Sequence, residues 1–175
     1  MINTQRMLWA DRQVLALVWP FLEDRVHTIV DWLPWNHTFG GNFCFNAILR
    51  NGGTLYIDNG KPAPGLAELT AKNLREISPT MYFNVPRGFD LLMPMLEGDA
   101  ELRRNFFREL DMVFYAGAAL PQNLWERLEN LALAEKGGAL SMTSSWGSTE
   151  TAPSAAAVHY PIERAGVIGL PNPGC

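Results

Sequence analysis

Short apolar runs typical of strands alternate with segments of helical periodicity along the chain. Between residues 4 and 20, apolar side chains recur at three- and four-residue intervals, which predicts an amphipathic helix that Pro20 ends. Residues 27–33 contain β-branched and apolar side chains and are followed at once by Pro34, so we predict a short buried strand. Residues 35–53 predict a loop and then a helix that ends at a pair of glycines.

The alternation continues through the rest of the chain. Further strands are predicted at TLYI (54–57), TMYFNVP (80–86), DMVFYAG (111–117) and ALSMTSSW (139–146). Helical patterns lie between them, at LAELTAKNLREI (66–77), GFDLLMPMLEGD (88–99), ELRRNFFREL (101–110) and LPQNLWERLENLALAEKG (120–137). Because strands and helices alternate, we predict an α/β fold: one three-layer unit whose mostly parallel sheet is flanked by helices.

The least regular loops follow the predicted strands. In parallel α/β sheets, ligands bind beyond the carboxyl ends of the strands. We therefore expect four loops to gather at one edge of the sheet, at residues 34–41, 84–88, 116–121 and 144–153. Gly117 and Thr149 should then lie within reach of one nucleotide.

Gly117 is followed by two small residues at the end of the strand DMVFY. Because Gly117, Ala118 and Ala119 carry no bulky side chain, a flat ligand can approach this backbone closely. Small residues in a strand-to-helix turn are also common simply because they let the next helix pack. Both interpretations of this turn remain open on the sequence.

The segment SSWGSTETAP, residues 144–153, combines hydroxyl groups, a glycine and one carboxylate. Trp146 offers an indole that can stack on a purine, and Gly147 lets the loop turn beneath it. Thr149 can donate to a phosphate oxygen, and Glu150 is a hard oxygen ligand suited to Mg²⁺. The alternative is that Thr149 and Glu150 begin a helix or turn, with the carboxylate near backbone N–H groups.

His37 lies in the loop LPWNHTFGG. A neutral imidazole there can contact a carboxylate or its activated form, although a loop histidine can equally be a satisfied structural donor. His27 and His159 have no companion ligands at metal-binding spacing, and we assign them no role. An apolar or aryl pocket is indicated by side chains near the motifs: Trp35, Phe39, Phe83, Val85, Phe89 and Trp146.

The composition narrows the class of protein. With 175 residues, of which 47% are hydrophobic and 18% charged, the chain can bury one substantial core and is too short for two ordinary domains. Its 14 basic and 18 acidic residues give a net charge of −4. The basic residues are scattered rather than gathered in a stripe, so we expect no nucleic-acid partner.

Several other classes lack their sequence signals. The start of the chain has no small-residue cleavage site and carries Arg6, Asp11 and Arg12, so we expect neither a signal peptide nor a membrane span. Cys44 and Cys175 form no metal spacing and no disulfide framework, which fits a reducing cytoplasm. The motifs GxSxG, GxGxxG and GxxxxGK[ST] are absent, so a nucleophile-elbow hydrolase, a dinucleotide fold and a P-loop enzyme lack support.

Four motifs in order resemble the adenylate-forming acyl-CoA synthetase superfamily, the AMP-dependent synthetases and ligases. LPWNHTFGG, YAGAALP, SSWGSTE and GVIGLPNPG match its Pro-x-x-His loop, its Gly-Ala/Glu-Ala/Pro turn, its aromatic-Gly-x-Thr-Glu loop and its GxxGxP loop. The runs DWLPWNHTFGGN and NGGTLYIDNGKPAPG are most similar to feruloyl-CoA synthetases and related aryl or fatty acyl-CoA synthetases. The resemblance spans essentially the whole chain.

The resemblance implies a role for each matching position. His37 would lie beside the acyl carboxylate, Trp146 would replace the usual tyrosine against adenine, and residues 166–171 would close the pocket. Thr149 would bind the α-phosphate and Glu150 would bind Mg²⁺, so that His37, Thr149 and Glu150 form the catalytic set. The implied nucleotide-binding residues are Gly117, Ala118, Ala119, Ser144, Ser145, Trp146, Gly147 and Thr149. The implied acyl pocket consists of His37, Phe39, Gly40, Gly41, Val85, Gly117 and Gly147.

The implied activity is that of an acid–thiol ligase. A carboxylic acid would attack the α-phosphorus of ATP with Mg²⁺ bound, which gives an acyl-adenylate and pyrophosphate, and coenzyme A would then displace AMP. Aryl and fatty acids both satisfy an apolar pocket. A noncatalytic α/β binding module and an adenylation domain with a carrier-protein acceptor are the alternative hypotheses.

Three features of the family pattern have no match in residues 1–175. Family members carry a phosphate loop before the segment INTQRML, and a ribose-binding aspartate and a lysine-bearing C-terminal domain after the segment GVIGLPNPG. We therefore expect these residues to be the central part of an adenylation domain, and to be inactive on their own. Sheet edges left uncovered in such a piece could pair between chains, which would allow a homo-oligomer.

Overall fold

The structure, a computed structural model, describes residues 1–174. The expectation for Cys175 lies outside the described residues. The described residues form six α-helices: α1 Gln5–Val18, α2 Asn46–Asn51, α3 Ala67–Glu76, α4 Pro86–Gly98, α5 Ala100–Arg108 and α6 Gln122–Lys136. In the same part of the chain there are seven strands: β1 Thr28–Asp31, β2 Thr54–Ile57, β3 Met81–Asn84, β4 Met112–Tyr115, β5 Ser141–Trp146, β6 Ala156–Ala157 and β7 Leu170–Pro171. Short 3₁₀ turns lie at Pro20–Glu23 and Thr149–Thr151, and a π-helix spans Phe39–Phe45.

Residues of the kind that begin and end helices stand at the ends of α1 and α2 in the structure. Helix α1 begins after Thr4, whose side chain accepts a hydrogen bond from the Met7 N–H at 3.3 Å. Helix α2 ends at Gly52, which adopts the left-handed conformation with φ of 65°. The π-helix that precedes α2 packs closely on the loop before it, since a Cβ added to Gly40 would lie 2.6 Å from the carbonyl oxygen of Leu33. Glycine is therefore required there by the approach of two backbone segments.

The strands form a mixed arrangement that is parallel in its main part. Strand β1 pairs in parallel with β2, and β3, β4 and β5 form three parallel neighbours. The two groups meet where the Thr80 N–H donates to the Thr28 carbonyl at 2.9 Å. Strands β6 and β7 add antiparallel pairings at the edge of β5. The predicted α/β fold with a mostly parallel sheet is confirmed.

Two clusters of buried side chains lie on opposite faces of the strands, which makes the three layers. Alternate residues of β3 and β4 point to opposite faces: Tyr82 and Val113 pack with α4, α5 and α6, while Phe83 and Phe114 pack with α1 and the π-helix. All four residues of β3 and of β4 are buried. Burial on both faces explains why these strands read as continuous apolar runs.

Strands β6 and β7 were not predicted. Each has only two residues, and neither segment alternates between apolar and polar positions. Their pairing depends on Gly169, which has φ of 88° and whose missing Cβ leaves room for the Ala157 backbone.

Among residues 1–174, no helix combines the length and the apolar character needed to cross a membrane.

Candidate functional site

A cavity of about 410 Å³ opens at the carboxyl edge of β4 and β5. Its walls come from the loop before the π-helix, the turn after β4, the end of β5 and a later loop. None of the side chains around it is a carboxylate or a lysine or arginine. The lining residues are His37, Thr38, Phe39, Phe43, Phe114, Tyr115, Ala116, Gly117, Ala118, Ala119, Ser144, Ser145, Trp146, Gly147, Pro153, Gly166, Val167 and Ile168.

The structure brings most of the sequence-predicted site residues to this cavity. Those in its lining are His37, Phe39, Gly117, Ala118, Ala119, Ser144, Ser145, Trp146 and Gly147. The loop at Gly166–Ile168 also lines it, where the family resemblance placed a closing segment. Three of the four predicted loops therefore meet there. The fourth comes close through Val85, whose Cγ1 would lie 3.7 Å from a Cβ added to Gly117.

Five predicted residues lie outside the cavity wall: Gly40, Gly41, Val85, Thr149 and Glu150. Gly40 and Gly41 contact the backbone of residues 33–35 instead, so their small size serves packing of the π-helix. Because β4 and β5 are parallel, Thr149 and Glu150 follow β5 at the same edge of the sheet as Gly117, but neither residue lines the cavity. Their predicted roles as phosphate and metal contacts remain predictions.

The turn after β4 presents backbone rather than side chains to the cavity. Gly117 has φ of 86°, a conformation that favours glycine, and Gly117, Ala118 and Ala119 are all exposed. Leu120, the next residue, is the one that packs into the core, with 3% of its surface exposed. The three small residues are thus available to a ligand, while the helix that follows is anchored by a different side chain.

The end of β5 combines fixed and accessible side chains. The Ser144 hydroxyl donates to the Tyr115 carbonyl at 2.8 Å, so it ties β5 to β4. Trp146 is 59% exposed at the cavity mouth, which leaves an indole face open to solvent. Gly147 is needed for the turn that follows, because a Cβ there would collide with the Pro153 carbonyl.

Thr149 and Glu150 lie in a short 3₁₀ turn closed by reciprocal hydrogen bonds between Ser148 and Thr151. This is the local arrangement that the alternative interpretation of these residues described. The Ser148 hydroxyl, as a hydrogen-bond donor, lowers the pKa of the exposed Glu150 carboxyl. Glu150 therefore carries an ionised carboxylate that is accessible to solvent. Within residues 1–174, no three His, Cys, Asp or Glu side chains are grouped as a metal site.

His37 lines the cavity and is held by its own loop. Its ring Nδ1 accepts a hydrogen bond from the backbone N–H of Phe39 at 3.2 Å, and the backbone N–H of His37 donates to the Pro34 carbonyl at 3.0 Å. With Nδ1 used as an acceptor, the neutral ring carries its proton on Nε2. The imidazole is therefore oriented by the loop and retains one donor.

Three phenylalanines form the inner end of the cavity. Phe43 stacks on Phe114 with ring centroids 5.0 Å apart, and Phe39 lies 5.5 Å from Phe114. Phe43 and Phe114 were not predicted as site residues, since each belongs to a regular element and reads as core. The available signal was position: Phe114 directly precedes the Tyr-Ala-Gly turn, and Phe43 lies in the element that follows His37.

Asp31 is a buried carboxyl outside the cavity lining, and the sequence analysis assigned it no role. It ends β1 just before the His37 loop, is 3% exposed, and accepts a hydrogen bond from the Leu33 N–H at 3.0 Å. Its other oxygen, Oδ2, makes no hydrogen bond of ordinary geometry within the described residues, and the buried Cys44 thiol is its polar neighbour. Burial raises the pKa of Asp31 to about 7, and this change is opposed by the bond from Leu33 and increased by the charge of Asp58.

The sequence model of the AMP-binding enzyme family matches residues 1–175. A malonyl-CoA ligase, solved as a ternary product complex with methylmalonyl-CoA and AMP bound, is 25% identical with a TM-score of 0.74 over 99% of this chain and 35% of that chain. A benzoate CoA ligase from Burkholderia xenovorans is 21% identical with a TM-score of 0.67, covering 94% of this chain and 32% of that one. An anthranilate CoA ligase in complex with anthranoyl-AMP is 20% identical with a TM-score of 0.67, over 94% and 30%.

The chain therefore spans about a third of the length of these solved structures, as the 35%, 32% and 30% coverages show. No curated protein sequence matched it. The two likenesses of 21% and 20% identity concern the fold alone.

Replacing Asp31 with Asn tests the buried carboxyl. The folded state holds the Asp31 proton up to a pH of about 7, whereas the unfolded chain loses it near its ordinary pKa of about 4. The free energy of unfolding should therefore fall as the pH rises from about 4 to 7, by up to about 4 kcal/mol from this group. Asp31→Asn removes this component, because the amide oxygen can still accept from the Leu33 N–H.

Urea unfolding at pH 5 and pH 8 measures the effect. Asp31→Asn should gain stability over the wild type at pH 8 and gain much less at pH 5. Asp24→Asn replaces an exposed aspartate and serves as the control. It should change the free energy of unfolding by the same amount at both pH values. An equal stability change for Asp31→Asn at the two pH values would contradict the expectation.

Proposed function

The chain belongs to the AMP-binding enzyme family, and we propose that it forms part of an ATP-dependent ligase that adenylates a carboxylic acid and transfers the acyl group to coenzyme A. The single observation that carries this proposal is the cavity in which His37, the Gly117 turn and Trp146 meet. Since the solved relatives are about three times as long, we further propose that residues 1–175 bind nucleotide without completing the reaction alone.

The cavity suits an adenosine monophosphate. Gly117, Ala118 and Ala119 expose backbone to a flat base, and Trp146 offers an open indole face against which it can stack. Thr149 follows the lining residue Gly147 by two positions, and its hydroxyl would donate to the α-phosphate. Glu150, ionised and exposed, is the residue that would hold Mg²⁺, whose charge would offset that of the phosphates.

His37 is assigned to the acid. Its Nδ1 is occupied by the Phe39 N–H, so Nε2 would donate a hydrogen bond to one carboxylate oxygen and orient the other. That second oxygen attacks the α-phosphorus, the bond to the β-phosphate bridging oxygen breaks, and pyrophosphate leaves. In the second half-reaction the coenzyme A thiolate attacks the acyl carbon and AMP leaves with the bonding electrons. The role of this chain in both steps is to bind and orient.

We propose an aryl acid rather than a long fatty acid as the substrate, and specifically a hydroxycinnamic acid of the ferulate type. The lining is uncharged and apolar at its inner end, where burying a ring contributes roughly 1.5–3 kcal/mol of transfer free energy. The rings of Phe39, Phe43 and Phe114 close that end, and each is at most 7% exposed. A planar ring can pack against them, whereas a long chain would need a passage through them.

Trp146→Ala is the first test of the nucleotide site. Stacking of a base on an aromatic side chain is typically worth about 1–3 kcal/mol, so AMP affinity measured by calorimetry should fall by about 5- to 150-fold. Trp9→Ala is a matched control, because Trp9 is also 59% exposed but does not line the cavity. Equal AMP affinity in Trp146→Ala and Trp9→Ala would show that the Trp146 indole does not contact the nucleotide. A wild type that binds no AMP would contradict the proposed nucleotide site.

Glu150→Gln tests the metal contact. The difference in ATP affinity between Mg²⁺-containing and Mg²⁺-free buffer should shrink by roughly tenfold, because an amide oxygen is a weaker ligand than a carboxylate. The melting temperature should change little, since Glu150 is exposed. Glu68→Gln is the control, because Glu68 is an exposed carboxylate that also lies in the first turn of a helix. A full Mg²⁺ effect in Glu150→Gln would exclude the proposed ligand.

Phe39→Leu tests the acid class. Shortening this side chain opens the inner end of the cavity, so affinity for a decanoyl-adenylate analogue should rise relative to a feruloyl-adenylate analogue, by roughly tenfold. Competition calorimetry with the two analogues gives the ratio. Phe106→Leu is the control, because Phe106 is buried in the other core cluster. A wild type that prefers the decanoyl analogue would favour the fatty-acid alternative.

A further inference from the structure

Helix α1 buries two charged residues on its inner face. Asp11 and Arg12 are 6% and 3% exposed, and Leu15 is the remaining buried residue of the helix. Their side chains form an ion pair with each other. On the sequence, Asp11 and Arg12 served only as charges that argue against a signal peptide. Their burial needs a separate explanation, because charged side chains are rarely buried without a specific partner.

Arg12 makes two contacts with Phe43, one to its backbone and one to its ring. Its Nη1 donates to the Phe43 carbonyl at 3.0 Å, and its Cζ lies 4.7 Å from the centroid of the Phe43 ring. Phe43 lines the cavity and stacks on Phe114. The guanidinium therefore contacts both the backbone and the ring of Phe43, although Arg12 itself does not line the cavity.

Asp11 reaches a different wall of the same cavity. Its Oδ1 accepts a hydrogen bond from the Ser154 N–H at 3.3 Å. Ser154 directly follows Pro153, which lines the cavity and lies against Gly147. The segment is fixed further by Asn172, whose side-chain amide donates to the Ser154 Oγ at 2.8 Å. One ion pair thus joins two chain segments that are far apart in sequence.

Burying the Asp11–Arg12 ion pair costs free energy, because both charges lose their contact with water. Burial raises the pKa of Asp11 and lowers the pKa of Arg12, since loss of solvent outweighs their mutual attraction. The Arg12 Nε is also buried without a hydrogen-bond partner among the described residues. Apolar side chains of similar volume often match or exceed the stability of such a pair. What apolar side chains cannot supply is a directed hydrogen bond to the Phe43 carbonyl and to the Ser154 N–H.

We propose that Asp11 and Arg12 are positioning residues that fix the Phe43 and Pro153–Ser154 walls of the cavity, and that they thereby set its affinity for an adenine nucleotide. The part of this inference that concerns the nucleotide rests on the proposed function. The part that concerns the two walls rests on the contacts of the ion pair alone. The two parts can therefore fail separately.

The double variant Asp11→Leu/Arg12→Met tests both parts. It removes both charges together, so neither is left buried without its partner, and a cooperative thermal transition should be retained. Hydrogen exchange without nucleotide should become at least about tenfold faster in residues 39–45 and 153–158 and should stay unchanged in α6. AMP affinity by calorimetry should fall by roughly two- to thirtyfold, the range expected for residues that do not touch the ligand.

Arg103→Met/Glu135→Leu is the matched control. This ion pair is partly buried, at 22% and 20% side-chain exposure, and it joins α5 to α6 away from the cavity. It should alter stability without changing exchange in residues 39–45 or AMP affinity. If Asp11→Leu/Arg12→Met leaves exchange unchanged in residues 39–45 and 153–158, the proposal is wrong, whatever the AMP result.

The remaining outcomes are also decisive. Faster exchange in both segments with unchanged AMP affinity overturns the link to the nucleotide, and a wild type that binds no AMP leaves the exchange result to decide the positioning role. If the double variant does not fold, Arg12→Lys replaces it. Lysine can still pair with Asp11 but lacks the planar fork that serves Asp11 and Phe43 together. Faster exchange confined to residues 39–45 then supports the proposal, and unchanged exchange there overturns it.

Discussion

Burial of β3 and β4 on both faces is the constraint from which the rest of the architecture follows. Every residue of these two strands is buried, so each strand needs an apolar layer above it and another below it. Parallel neighbours must also be joined by long crossovers, which supply those layers as helices. The turns that follow the strands are then left together at one edge. The cavity lies at this edge because the helices have already covered both faces.

Within that edge, the shape of the cavity depends on close backbone contacts and on aromatic packing. Gly40 and Gly147 let one backbone segment lie against another where any side chain would collide. The stacked rings of Phe43 and Phe114 then close the inner end. Each device fixes a wall without placing a charge in it. The cavity therefore presents backbone groups, ring faces and the His37 imidazole to a ligand, whereas the charged groups of Asp11, Arg12 and Glu150 are not part of its lining.

Helical periodicity predicted the helices, short apolar runs predicted the five longer strands, and the alternation of the two predicted the three-layer class. Such patterns report which residues of an element are buried. They do not report what those residues contact. Phe114 was therefore assigned to the core without its place in the cavity, and the burial of Asp11 and Arg12 was missed because their partners, Phe43 and Ser154, are distant in sequence. Strands β6 and β7 have two residues each, too few for any period to show.

The loops gave a different kind of signal. Glycines and hydroxyl residues marked where ligands could approach, and nine of the predicted positions do line the cavity. Composition could not separate a residue that is small because a ligand lies near from one that is small because another backbone does. Gly117 and Gly40 are such a pair: the first is exposed at the cavity, and the second packs against Leu33. Only the three-dimensional contacts distinguish them.

Because no carboxylate, lysine or arginine lines the cavity, its interactions with a ligand would depend on fixed dipoles and hydrogen-bond donors. Dipoles and donors fixed in a poorly hydrated cavity interact more strongly with a ligand than the same groups in water do, provided that they do not move when it binds. Rigidity of the walls is then as important as the groups on them. Here that rigidity is supplied from outside: His37 is held by the Phe39 N–H, and Phe43 is held by Arg12. Under our proposal, the residues that set nucleotide affinity therefore extend beyond the cavity lining into α1.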